Sequence, residues 1–218
     1  MTPKLPLNLK LKKKTQRDLA YAQDVLVEEL YNFFPQAIIH GGTAIWRCYN
    51  GNRFSEDLDA YIPKDKKIIE EFFTHLEKKG FRIIKKKIKE NSVYSELIYN
   101  DISIRFEATF QTKKFIFKKY ETSESFFINV YTLTPEEFIK EKVDAYLKRL
   151  KIRDLYDIYF LLNYIEDINE IKENLKKLIK NFENPIDEEN LAVIIISGSV
   201  PNFKQLLEEI KRQIRWEK

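Results

Sequence analysis

An α+β fold is expected, a mixed β-sheet with flanking helices followed by a C-terminal helical bundle. Three observations lead there. Between residues 37 and 133 short apolar or alternating runs recur, with helical periods set among the earlier ones. At Thr134-Pro135-Glu136-Glu137 a helix start is spelled out, with Thr at the N-cap, Pro at the first helical position and Glu at the third, a capping box. Beyond it the apolar patterns are helical to the end of the chain. These features divide the chain into an α/β domain with an N-terminal helix at 1–133 and a helical domain at 134–218.

Taken in order, residues 1–14 alternate Pro, Leu and Lys and read as an extended arm. Thr15 can cap a helix to about residue 34, with Leu19, Ala22, Val25, Leu26, Leu30 and Phe33 on one side, and Pro35 stops it. Residues 37–39 form a short buried strand. Two glycines follow, then two helical turns over 43–49, which Asn50-Gly51 ends because Gly accepts the left-handed conformation. A second strand covers 57–62. Asp65 starts a helix with Ile68, Ile69, Phe72, Phe73 and Leu76 as its stripe and Gly80 as its close; His75 beside the stripe reads as a partly buried surface residue. A strand at 81–89 alternates imperfectly. Strands at 93–99 and 102–110 join at Asn100-Asp101, a hairpin signal. Short strands at 115–117 and 126–133 flank a polar loop at 121–125.

In the helical part, the first helix runs to about residue 150 and a second covers 151–162. The second has Ile152, Leu155, Ile158, Tyr159 and Leu162 as apolar positions and Arg153, Asp154 and Asp157 as a polar patch. Helices at 168–181, 188–196 and 202–216 complete it, with 191–196 expected in the core.

Composition narrows the class. Hydrophobic residues make up 44% of the 218, enough for a core under a surface fed by 33% charged residues. The single cysteine, Cys48, excludes an intrachain disulfide and reads as a small core residue. No apolar run is long enough to span a membrane, and the Lys-rich start lacks an apolar signal core, so a cytoplasmic protein with no membrane partner is expected. The net charge of +4 is modest, but lysines cluster at 10–14 and 85–89. Each cluster is either a solvated face or a contact for a phosphate backbone.

The chemistry is concentrated between residues 40 and 59. On a strand Asp57 and Asp59 share one face while Leu58 and Ala60 point into the core. Two such carboxylates repel unless a cation lies between them, and magnesium is suited because it takes hard oxygen ligands and bridges to phosphates. Gly41-Gly42 at a helix start let backbone N–H groups approach a phosphate. A phosphate cradle beside a metal-binding carboxylate pair is the chemistry of phosphoryl or nucleotidyl transfer.

This stretch resembles the nucleotidyltransferase superfamily. Its wording, Gly41-Gly42-Thr43-Ala44 and then Arg53-Phe54-Ser55-Glu56-Asp57-Leu58-Asp59, is similar to the AbiEii/AbiGii abortive-infection toxin family. A second signature of that family is matched by Glu137, Lys142 and Ala145, then Arg149, then Arg153-Asp154 and Asp157, so the resemblance covers about residues 37–162. It implies a nucleotidyltransferase-like sheet whose active site the helical domain completes. It also implies an enzyme dependent on magnesium, or manganese in its place, that moves a nucleotide from a nucleoside triphosphate. Gly41, Gly42 and Thr43 would hold the triphosphate, Arg53, Ser55 and Lys142 would stabilise its charge, and Asp57 and Asp59 would bind metal. Asp154 would hold the arrangement, assist the nucleophile or orient Lys142.

The superfamily places a third carboxylate on a later strand. Glu107 fits by order and alternation, with Ser103, Arg105, Glu107 and Thr109 on one face, and is otherwise an ordinary strand Glu paired with Arg105 or a lysine. Asp101 is its rival, set back at a turn. Related toxins modify the 3′ end of tRNA and sit beside an antitoxin, so tRNA and an antitoxin protein are the implied partners. The chain is short for the family, and Glu stands where the third carboxylate is often Asp. The same residues would equally serve a protein or small-molecule acceptor, and a non-catalytic RNA- or nucleotide-binding module is the further alternative.

Overall fold

A computed structural model describes residues 6–215; the first five residues of the expected arm and the helix end at Trp216 lie outside the described residues. The chain forms two compact units, Met1–Thr132 and Leu133–Lys218.

The first unit is built on a seven-stranded sheet. Its strands are β1 (Ile38–His40), β2 (Leu58–Tyr61), β3 (Arg82–Ile88), β4 (Ser92–Tyr99), β5 (Ile102–Thr109), β6 (Phe115–Glu121) and β7 (Phe127–Leu133), in the order β3-β4-β5-β2-β1-β7-β6. The sheet is mixed: β1 is antiparallel to β2 and parallel to β7, β2 is parallel to β5, and β3, β4 and β5 form an antiparallel meander. The β4–β5 turn is the one the sequence predicts, with Asn100 and Asp101 at φ 47° and 63°, the pair of positive values that a two-residue hairpin needs.

Helices α1 (Leu7–Lys10), α2 (Lys14–Phe33), α3 (Gly41–Cys48) and α4 (Lys66–Lys78) complete this unit. Helices α2 and α4 cover the sheet face to which Phe106 points. The Phe72 ring meets Phe106 at 5.8 Å and Phe34 at 5.8 Å, all three rings buried. Burying each such side chain contributes roughly 1.5–3 kcal/mol. Because side chains alternate, Glu107 next to Phe106 emerges on the opposite face.

Several local expectations are corrected. The arm is folded from Leu7 on, because Leu7 and Leu11 are buried. Thr15 does not cap α2, whose N-cap is Lys13 with no side-chain bond. Asn50, not Gly51, takes the left-handed conformation after α3, at φ 57°. Strand β6 is longer than predicted, and the polar stretch at its end is buried through Ser123: Ser123 N–H donates to Asp24 (2.7 Å) and Arg47 donates to the Glu121 carbonyl (3.1 Å). His75 is partly buried as expected, with its Nε2 2.7 Å from the buried Glu29 carboxylate, which Lys79 also meets at 2.8 Å. Asp65 caps α4 and Gly80 closes it as expected, and Cys48 is a buried thiol whose pKa burial pushes up to about 12.

The second unit is helical: α5 (Pro135–Arg149), α6 (Ile152–Leu161), α7 (Lys172–Lys180), α8 (Asn190–Ile194) and α9 (Phe203–Arg215). Thr134 accepts a bond from Glu137 N–H and so caps α5, and Leu150 ends it in the left-handed region at φ 52°. Asp187 caps α6 from a distant loop, accepting from Ile152 N–H at 2.8 Å, a cap that no local pattern announces. The helix expected at 168–181 is split into a 3₁₀ turn and α7. Segment 191–196 is only partly core: Leu191 and Ile196 are buried, but Val193 is exposed.

Candidate active site

The first unit brings the predicted acidic residues to one sheet face. Register alignment is the cause. Asp59 is the Cα partner of Glu107 across the parallel β2–β5 pair and of His40 across β1–β2, while Glu107 is the partner of Tyr94 on β4 and Tyr94 of Lys87 on β3. Five side chains thus stand in one row, His40, Asp59, Glu107, Tyr94 and Lys87. Asp57 lies just before β2 and its carboxylate faces Arg105 at 3.4 Å. Asp101 stays at the hairpin turn, six residues along the strand from Glu107, and is exposed.

The electrostatics match this crowding. Partial burial and the negative charge of Asp59, with a smaller contribution from Asp57, push the Glu107 carboxyl above its ordinary value, against the opposing pull of Arg105 and His40. Asp57 in turn raises Arg105. A site in which neighbouring negative charges raise a carboxyl's pKa is one that a cation would relax.

The glycines are explained by what stands where their side chains would be. Gly41, at φ 70°, opens α3, and a Cβ there would lie 2.1 Å from Asp59 Oδ2. A Cβ on Gly42 would lie 2.5 Å from an Arg53 guanidinium nitrogen and 2.6 Å from Ser55 Oγ. The Asp59 carboxylate, the buried Arg53 and Ser55 therefore gather against the first turn of α3. A guanidinium at the positive end of a helix is unfavourable by itself and favourable with an anion between them.

The Thr43 side chain has a structural partner. It is fully buried and its hydroxyl donates to the Asp57 carbonyl at 2.5 Å, so its side chain fixes the loop before β2. Gln23 on α2 does the same from the other side, its Nε2 donating to the carbonyls of Ser55 (2.9 Å) and Glu56 (3.1 Å). Sequence reading missed Gln23, whose only signal is a polar residue inside the apolar stripe of α2. It also gave no role to His40, whose ring stacks on Tyr61 at 3.9 Å.

Within the second unit, Lys142 on α5 is buried between two aspartates of α6, 2.7 Å from Asp157 and 3.4 Å from Asp154. Arg149 grips both oxygens of Asp154 at 2.7 Å. Burial would raise the Asp154 carboxyl, but the Arg149 bonds and the Lys142 charge outweigh it and hold it below the usual value. The polar patch expected on α6 is thus a buried ion cluster: Asp154 and Asp157 are fully enclosed.

Among the described residues no three His, Cys, Asp or Glu side chains converge closely enough to hold an ion by themselves. The residues nevertheless fit magnesium, which binds through one or two carboxylates and completes its shell with water and substrate phosphate. Asp59 and Glu107 in register, beside a cradle that no Cβ fills, are such a pair.

The adjacent carboxylate pair stands next to a glycine-opened helix, and the fold is shared with solved structures. The crystal structure of JHP933 from Helicobacter pylori superposes with a TM-score of 0.65 at 16% identity, covering 94% of this chain and 92% of that one. A second H. pylori structure, designated a candidate nucleotidyltransferase, gives 0.63 at 16% identity over 94% and 95%. No curated protein matches. Residues 24–212 match the family described as Nucleotidyl transferase AbiEii toxin, Type IV TA system, and the chain belongs to that family of nucleotidyltransferases.

Proposed function

We propose that this protein is the toxin of a toxin–antitoxin pair that transfers a nucleotide from a nucleoside triphosphate to the 3′ end of an RNA, with tRNA as the acceptor, in the cytoplasm and under restraint by a cognate antitoxin protein. The observation that carries the proposal is the Asp59–Glu107 pair beside the Gly41–Gly42 helix start. Family membership supports the toxin role.

In the proposed reaction the acceptor hydroxyl oxygen bonds to the α-phosphorus, the bond to pyrophosphate breaks, and the hydroxyl proton leaves to a carboxylate. Gly41 and Gly42 leave room for the phosphates, and Arg53 and Ser55 stand at the first turn of α3 to meet their charge. Asp57, Asp59 and Glu107 would hold one or two magnesium or manganese ions, which when bound lower the pKa of the acceptor hydroxyl and offset charge on the departing pyrophosphate. Turning Asp57 from Arg105 toward a cation exchanges one favourable charge contact for another. We assign Lys142 to the triphosphate and Asp154 to holding Lys142 in place.

The test incubates the purified protein and magnesium with each labelled nucleoside triphosphate and total tRNA, beside an Asp57→Ala/Asp59→Ala variant. Label entering RNA with the wild type alone is the expected result. Label entering protein instead, or entering nothing while nucleotide still binds, overturns the RNA acceptor.

A further inference from the structure

The second lysine cluster is sorted by a β-bulge. Pairing of β3 with β4 runs Ile83 with Leu97 and then Lys85 with Glu96, so one residue, Ile84, is extra. Ile83 and Ile88 pair with the buried Leu97 and Val93 on the helix-covered face. Had alternation continued from Ile83 without the bulge, Lys85 and Lys87 would face α4 and Lys86 alone would face the carboxylates. With it, Lys86 turns to α4, where it meets Glu70, and Lys85 and Lys87 join the face that carries Asp59 and Glu107. Bulges concentrate beside active sites, where they re-aim side chains in this way.

The outcome is a groove of about 290 Å³ lined by Lys85, Lys87, Lys89, Tyr94, Glu107 and Thr109 among others. The Tyr94 ring lies 5.1 Å from Lys85 Nζ, and its hydroxyl is held by Glu96. The carboxylates therefore have two unlike flanks. On the β1 flank are the glycine cradle and Arg53, suited to a triphosphate; on the β4–β3 flank are three cations and an aromatic ring. Same-face residues on a strand recur about every 6.5–7 Å, close to the phosphate repeat of an extended polynucleotide. A row of cations beside an aromatic platform is how proteins hold an unpaired strand, the cations on its backbone and the ring under a base. A small molecule or a protein side chain needs no such row.

We propose that Lys85, Lys87, Lys89 and Tyr94 form the acceptor track, a surface that seats the unpaired 3′ end of a single-stranded nucleic acid with its terminal hydroxyl at Glu107. The inference rests on the nucleotidyl-transfer reading for its direction, but its test does not require transfer. Binding of a labelled single-stranded oligoribonucleotide to the full chain is followed by fluorescence anisotropy over a salt series, with the matching oligodeoxynucleotide and an RNA duplex as further arms.

For the Lys85→Ala/Lys87→Ala/Lys89→Ala variant, affinity falls tenfold or more. The slope of log affinity against log salt drops by about 2, since each lost phosphate contact on a single strand is worth about 0.7. Tyr94→Ala weakens binding and Tyr94→Phe keeps it. Lys86→Ala, on the opposite face, binds as wild type, and nucleoside triphosphate binding is unchanged in all of them. Preference for RNA over DNA names the acceptor; equal binding leaves the track a general single-strand surface. Wild-type affinity in the triple variant, a loss equalled by Lys86→Ala, duplex preferred to single strand, or no binding by the wild type overturns the proposal whatever the transfer assay gives.

Discussion

Glu107 shows how one side chain's chemistry is set by its neighbours. Its folded pKa is raised, so between the unfolded and folded values the native state holds more protons, and stability falls as pH rises through that window. Above it, an ionised Glu107 beside Asp59 destabilises the metal-free protein. Glu107→Gln therefore raises the Tm of the metal-free protein at neutral pH while lowering nucleotide transfer by roughly 100-fold or more. Thermal unfolding and label transfer on one preparation check this. A lower Tm with transfer intact would remove Glu107 from the site and leave it the ordinary strand residue that its sequence context also allowed.

At the scale of elements, the α5–α6 pair is joined by buried charges rather than by apolar contact alone. Lys142 is the counter-ion of two enclosed aspartates. Lys142→Ala removes the cation that Asp154 and Asp157 share, with Arg149 still holding Asp154, and is expected to cost about 3 kcal/mol in urea unfolding. That loss would mask any direct role with the triphosphate, so the informative variant is Lys142→Met with Asp157→Asn, which removes one charge of each sign. Stability recovered with transfer still abolished supports a direct role for the ammonium. Transfer recovered along with stability means that the cluster serves the helices only. The β3 bulge makes the same point for the sheet: one extra residue decides which of five consecutive residues, four of them lysines, meet the site.

For the molecule as a whole, a divalent cation is expected to act as a stabiliser as well as a participant in chemistry. A ligand that binds only the folded state raises Tm in proportion to its occupancy, and here it also relieves carboxylate repulsion. Magnesium added to metal-free protein should raise Tm, and Asp57→Ala/Asp59→Ala should abolish the shift. An equal shift in the variant would place the cation elsewhere. Among the described residues no helix is long and apolar enough to cross a membrane.

The sequence by itself determined the order of the strands, the hairpin at Asn100-Asp101 and the caps at Asp65 and Thr134. These are local: alternation, capping and positive φ act within a few residues, so they are written in short stretches. What only the tertiary structure decided is register and burial. Nothing near Glu107 announces that it stands opposite Asp59, since residues 48 apart meet only when the parallel β2–β5 pair forms. Gln23 holding the loop before β2, Asp187 capping α6, the burial of Asp154 and Asp157, and the bulge that turns Lys85 and Lys87 toward the carboxylates have the same origin. Each is settled by which surfaces exclude water together, and that is a property of the folded chain rather than of any stretch of it.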